Sequence, residues 1–124
     1  MSTDLKIRTK SFALRVIKLA SRFPQRFETK HIFAQLLRCS SSVAANYRAA
    51  RHGKSRADFV AKLGIVEEEA DESLFWLELL EDSSSVLNIA GDPALIQELK
   101  LLQDEANQLV SIVVASKKTA RSSL

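Results

Sequence analysis

Glu68, Glu69 and Glu72 are the residues of this chain best spaced for proton chemistry. Carboxylates at helical spacing can act as general acid and base. Such work needs a pocket, however. No Gly-rich phosphate loop, nucleophile elbow, Ser-His-Asp set or Cys-His set accompanies them. Glu28 and His31 have the Glu-x-x-His spacing of di-iron bundles, which use two such motifs plus two further glutamates directed into the core. A single copy at a helix start reads as an exposed pair, and the other histidine, His52, falls beside a helix end. Cys39 is the lone cysteine, with no base at useful spacing, and reads as a small buried side chain. The pattern therefore predicts no catalytic residue, no metal, no cofactor and no enzyme. A single cysteine cannot form an internal disulfide and fits a reducing, cytoplasmic setting.

Two further constellations are polar rather than catalytic. Arg38, Ser42 and Asn46 stand four residues apart and form one line along a helix. They are expected to meet Glu68, Glu69 and Glu72 in a partly buried network that fixes helix register. The alternative is a ligand site on the same residues. The second constellation is a basic corner of Arg48, Arg51, His52, Lys54, Arg56 and Lys62, which could contact phosphates as a positioning patch. A merely solvated corner is the competing reading. The sequence contains no aromatic RNA-binding strand, zinc finger or clear helix-turn-helix.

The elements that hold these residues are long, since only three Gly and two Pro interrupt 124 residues. Strands rarely exceed about ten residues, so the spacing favours helices. Leu5, Phe12, Val16, Leu19 and Phe23 form one stripe, widened by Ala13, Ile17 and Ala20. Pro24 ends that helix. A second helix is predicted from about residue 30 to 52, with Phe33, Leu36, Leu37, Ser40, Val43, Ala44, Tyr47 and Ala50 inward and Gly53 as its cap. Its small residues from Cys39 to Ala45 let a neighbouring helix approach closely. Ser55 and Asp58 open a third helix, predicted over 56–88, with Phe59, Leu63, Val66, Ala70, Ser73, Leu77 and Leu80 inward. Gly91-Asp92-Pro93 opens a fourth, carrying Leu95, Leu99, Leu102, Ala106, Leu109, Val110 and Val113. The fold expected is all-α, an up-down-up-down antiparallel four-helix bundle over residues 1–118, with residues 119–124 as a flexible tail. No apolar run reaches the roughly 20 residues of a membrane span, and no secretory signal opens the chain.

Charge is strongly segregated. Residues 1–56 hold thirteen Lys or Arg against two Asp or Glu, whereas residues 57–116 hold two against thirteen. Opposite halves suit head-to-tail docking of one copy on the next, which closes into a ring when the rotation permits. Leu74, Phe75 and Trp76 lie beside or outside the inward seam and are the candidate oligomer contacts, since aromatics are enriched there.

From residue 42 the order of residues carries a resemblance. Ser42-Val43-Ala44-Ala45-Asn46-Tyr47-Arg48-Ala49-Ala50, Lys54-Ser55-Arg56-Ala57-Asp58-Phe59, Lys62-Leu63-Gly64-Ile65, Glu69-Ala70-Asp71-Glu72-Ser73 and Trp76-Leu77-Glu78-Leu79-Leu80 resemble the four helix bundle protein family, also called the 23S rRNA intervening-sequence protein family. The resemblance implies a left-handed antiparallel bundle that assembles into a ring, typically a homopentamer. Members are often encoded within insertions of large-subunit ribosomal RNA genes. A similar fold serves as the accessory protein of diversity-generating retroelements, binding nucleic acid and a reverse transcriptase. This chain differs from many members at Ala44, where they carry proline, and at Ala49-Ala50, where they carry an acid-glycine pair.

The function expected is that of a ring-forming, cytoplasmic, non-enzymatic homo-oligomer whose repeated basic corners engage RNA, ribosomal components or another polyanion. The alternative is a structural or protein-binding scaffold with no nucleic-acid role. No membrane partner is expected.

Overall fold

The computed structural model describes residues 4–122. Helix α1 spans Leu5–Ala20, α2 Phe27–Arg51, α3 Arg56–Asp82 and α4 Pro93–Ser122. Each start has a local cause. Asp4 Oδ1 accepts from the Lys6 amide at 2.9 Å, Ser55 Oγ from the Asp58 amide at 3.0 Å, and Asp92 Oδ1 from the Leu95 amide at 3.1 Å. These acceptors satisfy amides that the helix itself leaves without partners. Helix α2 begins three residues before the expected Lys30. The Thr29 hydroxyl accepts from the Arg26 amide at 3.1 Å and donates to the Pro24 carbonyl at 2.5 Å, so the linker is wound into the first turn.

Other boundaries also move. Helix α1 ends at Ala20, yet Phe23 stays buried and meets Phe33 edge-on at 5.0 Å. Helix α3 stops at Asp82 rather than 88. Three serines follow it, and Asn88 takes a left-handed φ of 59°, a conformation its short polar side chain tolerates. The turn carries Leu87 and Ile89 into the core, so it closes one end of the bundle. The expected loose tail from residue 119 is corrected. Helix α4 continues through Ser122, with Ala120 buried and Ser122 Oγ donating to the Thr119 carbonyl at 2.8 Å. Residues 123–124 of that expectation lie outside the described residues. Gly53 does cap α2, though without a positive φ. What it supplies is room, since a Cβ there would lie 2.9 Å from Asp58 Oδ2.

Each helix packs on the next in sequence, and α1 closes on α4 along the thinnest seam, while the diagonal pairs stay apart. The direction is antiparallel. Arg8 pairs with Glu105 and Arg15 with Glu98, so α4 descends as α1 rises. Along α3 and α4, Glu67 meets Lys117 and Glu81 meets Lys100 in the same opposite sense. The predicted stripes form the core, with Phe12, Leu36, Leu63, Leu77, Leu99 and Leu109 no more than 1% exposed. Each such burial contributes roughly 1.5–3 kcal/mol. Ile17 does not join its stripe and stands 56% exposed. No described helix is long and apolar enough to cross a membrane.

Candidate nucleic-acid interface

The α2–α3 turn projects the basic corner into solvent. Arg48, Arg51, His52, Lys54 and Arg56 are exposed, and Lys62 is half-buried. Short capping forces this arrangement. Helix α2 ends at Arg51 and α3 starts at Arg56, leaving no room for the intervening side chains to fold inward. Two members are restrained. Arg51 Nη1 lies 3.5 Å from the Tyr47 hydroxyl, which raises the already high Arg51 pKa. Lys62 Nζ lies 3.3 Å from Asp58 Oδ1 one turn back. Arg48, Lys54 and Arg56 have no ion-pair partner among the described residues. Solvent-facing cations without an ion-pair partner can recruit phosphate oxygens.

Arg56 also rims a cleft of about 560 Å³ between α3 and α4, lined by Phe59, Ile112, Ala115, Ser116, Thr119 and Ala120. Sequence reading missed this cleft because it treated residues past 118 as a tail. The buried Ala120 was the available signal: it lies a helical seven residues beyond Val113.

The proposed register network splits in two. Arg38 Nη1 lies 3.4 Å from both Glu69 oxygens, and Arg38 Nη2 bonds Glu72 Oε2. Glu72 also accepts from the Trp76 indole N–H at 3.0 Å. Ser42 and Asn46 instead pair with each other, Asn46 Nδ2 to Ser42 Oγ at 2.8 Å. Glu68 joins neither group and faces solvent. Arg38 is half exposed, at 49% of its side chain, so the cluster sits on the α2–α3 surface rather than within it. Glu68, Glu69 and Glu72 line no part of the α3–α4 cleft.

The Arg38 guanidinium, and next the Trp76 N–H, hold the Glu72 carboxyl below its ordinary pKa. A group depressed in this way stabilises the fold above the unfolded carboxyl value and loses that contribution as pH falls through its folded value. Trp76 is the sole tryptophan, so its fluorescence reports the pair directly. Acid titration is expected to show a Trp76 transition below the ordinary glutamate value of about 4.3, abolished in Glu72→Gln. A transition at or above that value would contradict the pairing.

Cys39 is fully buried, and burial pushes its thiol pKa up. Its Sγ lies 3.2 Å from Ser73 Oγ, where α2 and α3 approach closely. His31 is exposed and meets Trp76 edge-on at 6.0 Å, while Glu28 pairs with Arg26 at 3.6 Å. Among the described residues, no three His, Cys, Asp or Glu side chains are grouped to hold a metal ion.

Of the three candidate oligomer contacts, Phe75 alone is exposed, at 52%. Leu74 and Trp76 are half-buried and pack against the core. Trp76 is drawn in by its N–H bond to Glu72 and its edge contact with Phe75 at 4.9 Å. Sequence reading missed Ile7, Leu14 and Ile17, which stand 67%, 49% and 56% exposed on the outer face of α1. The seven-residue step from Ile7 to Leu14 was the signal available. It also missed how far the segregated charges neutralise each other within one chain. Arg8 grips Glu105 through two bonds of 2.8 and 2.9 Å, and Arg15 grips Glu98 through two of 3.1 Å.

Residues 3–115 match the model of a family described as 23S rRNA-intervening sequence protein. The chain is also similar to a crystal structure of a protein of unknown function from the S23 ribosomal protein family of Bacteroides thetaiotaomicron VPI-5482. The two share 27% identity and a TM-score of 0.76, over 93% of this chain and 99% of that one. No curated protein matches the chain.

Proposed function

The chain belongs to the 23S rRNA-intervening sequence protein family, and from that membership we propose a non-enzymatic, cytoplasmic bundle that assembles into a ring, five copies being the expected number, and engages RNA through its repeated basic corners. The observation that carries this reading is the set of cations left over once the internal pairs are formed. Arg8, Arg15 and Arg38 are paired with carboxylates of neighbouring helices, whereas Arg48, Lys54 and Arg56 point outward without a carboxylate partner among the described residues. The names of the matching family and of the similar crystal structure's family, which refer to ribosomal RNA and to a ribosomal protein, favour RNA over other polyanions. Repetition of one modest patch around a ring would raise avidity without new contacts.

Assembly is supported by two faces that a single bundle leaves uncovered. On α1, Ile7, Leu14 and Ile17 are interspersed with exposed Lys6, Lys10 and Lys18. On α3, Ile65 and Phe75 are interspersed with exposed Glu68, Asp71 and Glu78. Apolar contact combined with opposite charge fits a heterologous interface between copies. Gly64 lies on the outer side of α3, where an added Cβ would meet nothing within 4 Å. A glycine inside a helix is less favourable than alanine by about 0.8–1.0 kcal/mol. Among the described residues nothing packs on that position, whereas close approach of a second copy would use it.

Light scattering is expected to give five times the 13.8 kDa of one chain; a monomer at micromolar concentration would overturn the ring. For the corner, the triple variant Arg51→Ala, Lys54→Ala, Arg56→Ala is expected to bind single-stranded RNA more weakly. Its slope of log affinity against log salt should be shallower by about 2, at roughly 0.7 per lost phosphate contact. Binding and slope equal to the parent protein would favour the protein scaffold instead.

A further inference from the structure

We propose that the groove between α1 and α2, walled by Lys6, Lys10 and Arg48 and floored by Ser41, Ala44 and Ala45, is a second nucleic-acid site that holds one strand of RNA. It rests on the RNA reading above and extends it from Arg48, which the corner shares, to Lys6 and Lys10 on α1, which the corner does not include. The groove encloses about 310 Å³. Lys6 and Lys10 stand one helical turn apart on one wall, and Arg48 stands on the other. All three are exposed, and none has an ion-pair partner among the described residues. No carboxylate among the described residues lines the groove. Asp4, the nearest acid in sequence, is engaged in capping α1 through the Lys6 amide.

The floor decides what kind of anion fits. Ser41 donates its hydroxyl to the Leu37 carbonyl of its own helix at 2.7 Å, so it turns back and offers little polarity to the groove. Ala44 and Ala45 add only methyl groups. Apolar floor and cationic walls together suit a ligand with a flat or apolar side and regularly spaced negative charges. Nucleotides in a single strand have that character, with bases and riboses set down on the floor and phosphates against the walls. One turn of α1 separates Lys6 from Lys10 by about 5–6 Å, comparable with the step between successive phosphates of one strand. A duplex is far wider than the roughly 8–10 Å between packed helix axes and cannot enter. The groove also adjoins the corner, since Arg51 follows Arg48 by one turn of α2. A strand leaving the groove would therefore pass directly to Arg51 and Lys54.

Binding of a labelled oligouridylate of roughly 12 nucleotides, within the usual range for one single-strand site, tests this. The variant Lys6→Gln, Lys10→Gln is expected to bind at least tenfold more weakly at low salt, with a salt slope shallower by about 1.4. Ala45→Leu narrows the groove without changing charge. It is expected to weaken the single strand about fivefold and leave binding of a duplex of equal length unaltered. Far-UV circular dichroism confirms that both variants keep their helices. If both bind the single strand like the parent while the corner triple loses it, the groove is overturned and the corner stands. If the parent binds no RNA, both sites fall. If polyglutamate of equal charge competes as well as the RNA, the assignment to nucleic acid is overturned.

Discussion

Ser73→Leu is expected to destabilise the bundle by about 3 kcal/mol and to lower its thermal midpoint by roughly 10 °C. Ser73 is fully buried at the α2–α3 contact, with its hydroxyl oxygen 3.2 Å from Cys39 Sγ. Cys39 opposite it and its α2 neighbours Ser40 and Val43 are also fully buried, leaving little room to admit a larger side chain. Interiors are close-packed, and adding atoms to such a site forces helices apart or side chains off their rotamers. Ser73→Ala supplies the contrast. The hydroxyl donates to the Glu69 carbonyl of its own helix at 2.8 Å, a bond of small net value. Its removal should change stability by less than about 1 kcal/mol. Urea unfolding at one fixed protein concentration measures both, because any assembly of copies would make apparent stability depend on concentration. A leucine variant as stable as the parent would mean that α2 and α3 are not in close contact here.

That contact was legible before any coordinates, because Cys39-Ser40-Ser41-Ser42-Val43-Ala44-Ala45 is too small to hold two helices apart. The inward stripes of α3 and α4 were legible for a similar reason: their apolar residues repeat at three and four with few interruptions. Boundaries were harder to read. The Ser83–Asn88 turn continues a helix-like apolar spacing through Leu87, and only the left-handed Asn88 reveals that the chain has turned. The end of α4 looked like a tail because its last residues are small and basic, whereas Ala120 continues the buried stripe.

The candidate site was legible in part, and the division is instructive. Residues four apart on one helix can be aligned from sequence, which is why Arg38, Ser42 and Asn46 are expected together against Glu68, Glu69 and Glu72, of which Arg38, Glu69 and Glu72 do meet. Ser42 and Asn46 satisfy each other, and whether a polar line reaches across to a neighbour depends on helix rotation. Charge segregation was visible as a total, but its destination was not. Sequence alone cannot say that Arg8 and Arg15 face α4 while Arg48 faces outward. The α1–α4 seam, where the helices pack least, uses paired guanidinium and carboxylate groups to span the gap. Cations on other faces remain available to partners. The same basic half thus divides between holding the bundle closed and presenting charge to solvent.

Gly64→Leu is expected to act in opposite directions on the subunit and on the assembly, and this separates an interface from a merely exposed surface. Within one chain the substitution relieves a helix-interior glycine and adds a side chain where a Cβ meets no atom within 4 Å. The isolated subunit should gain about 0.8 kcal/mol. On the outer face of α3, Gly64 follows the exposed Ala57 and Ala61, with exposed Ile65 and Phe75 alongside. Small residues at that spacing permit another helix to come close, and an isobutyl group there would hold it off. The dissociation constant between copies should rise about 100-fold, equivalent to roughly 2.7 kcal/mol. Sedimentation of dilute protein, compared with urea unfolding under conditions where the subunit is alone, reads the two effects separately. Loss of assembly with a more stable subunit can arise only if a second copy occupies the face that Gly64 keeps low. A variant that is more stable and still fully assembled would place the contact between copies elsewhere, and the glycine would then be no more than an unfavourable residue on a solvated surface.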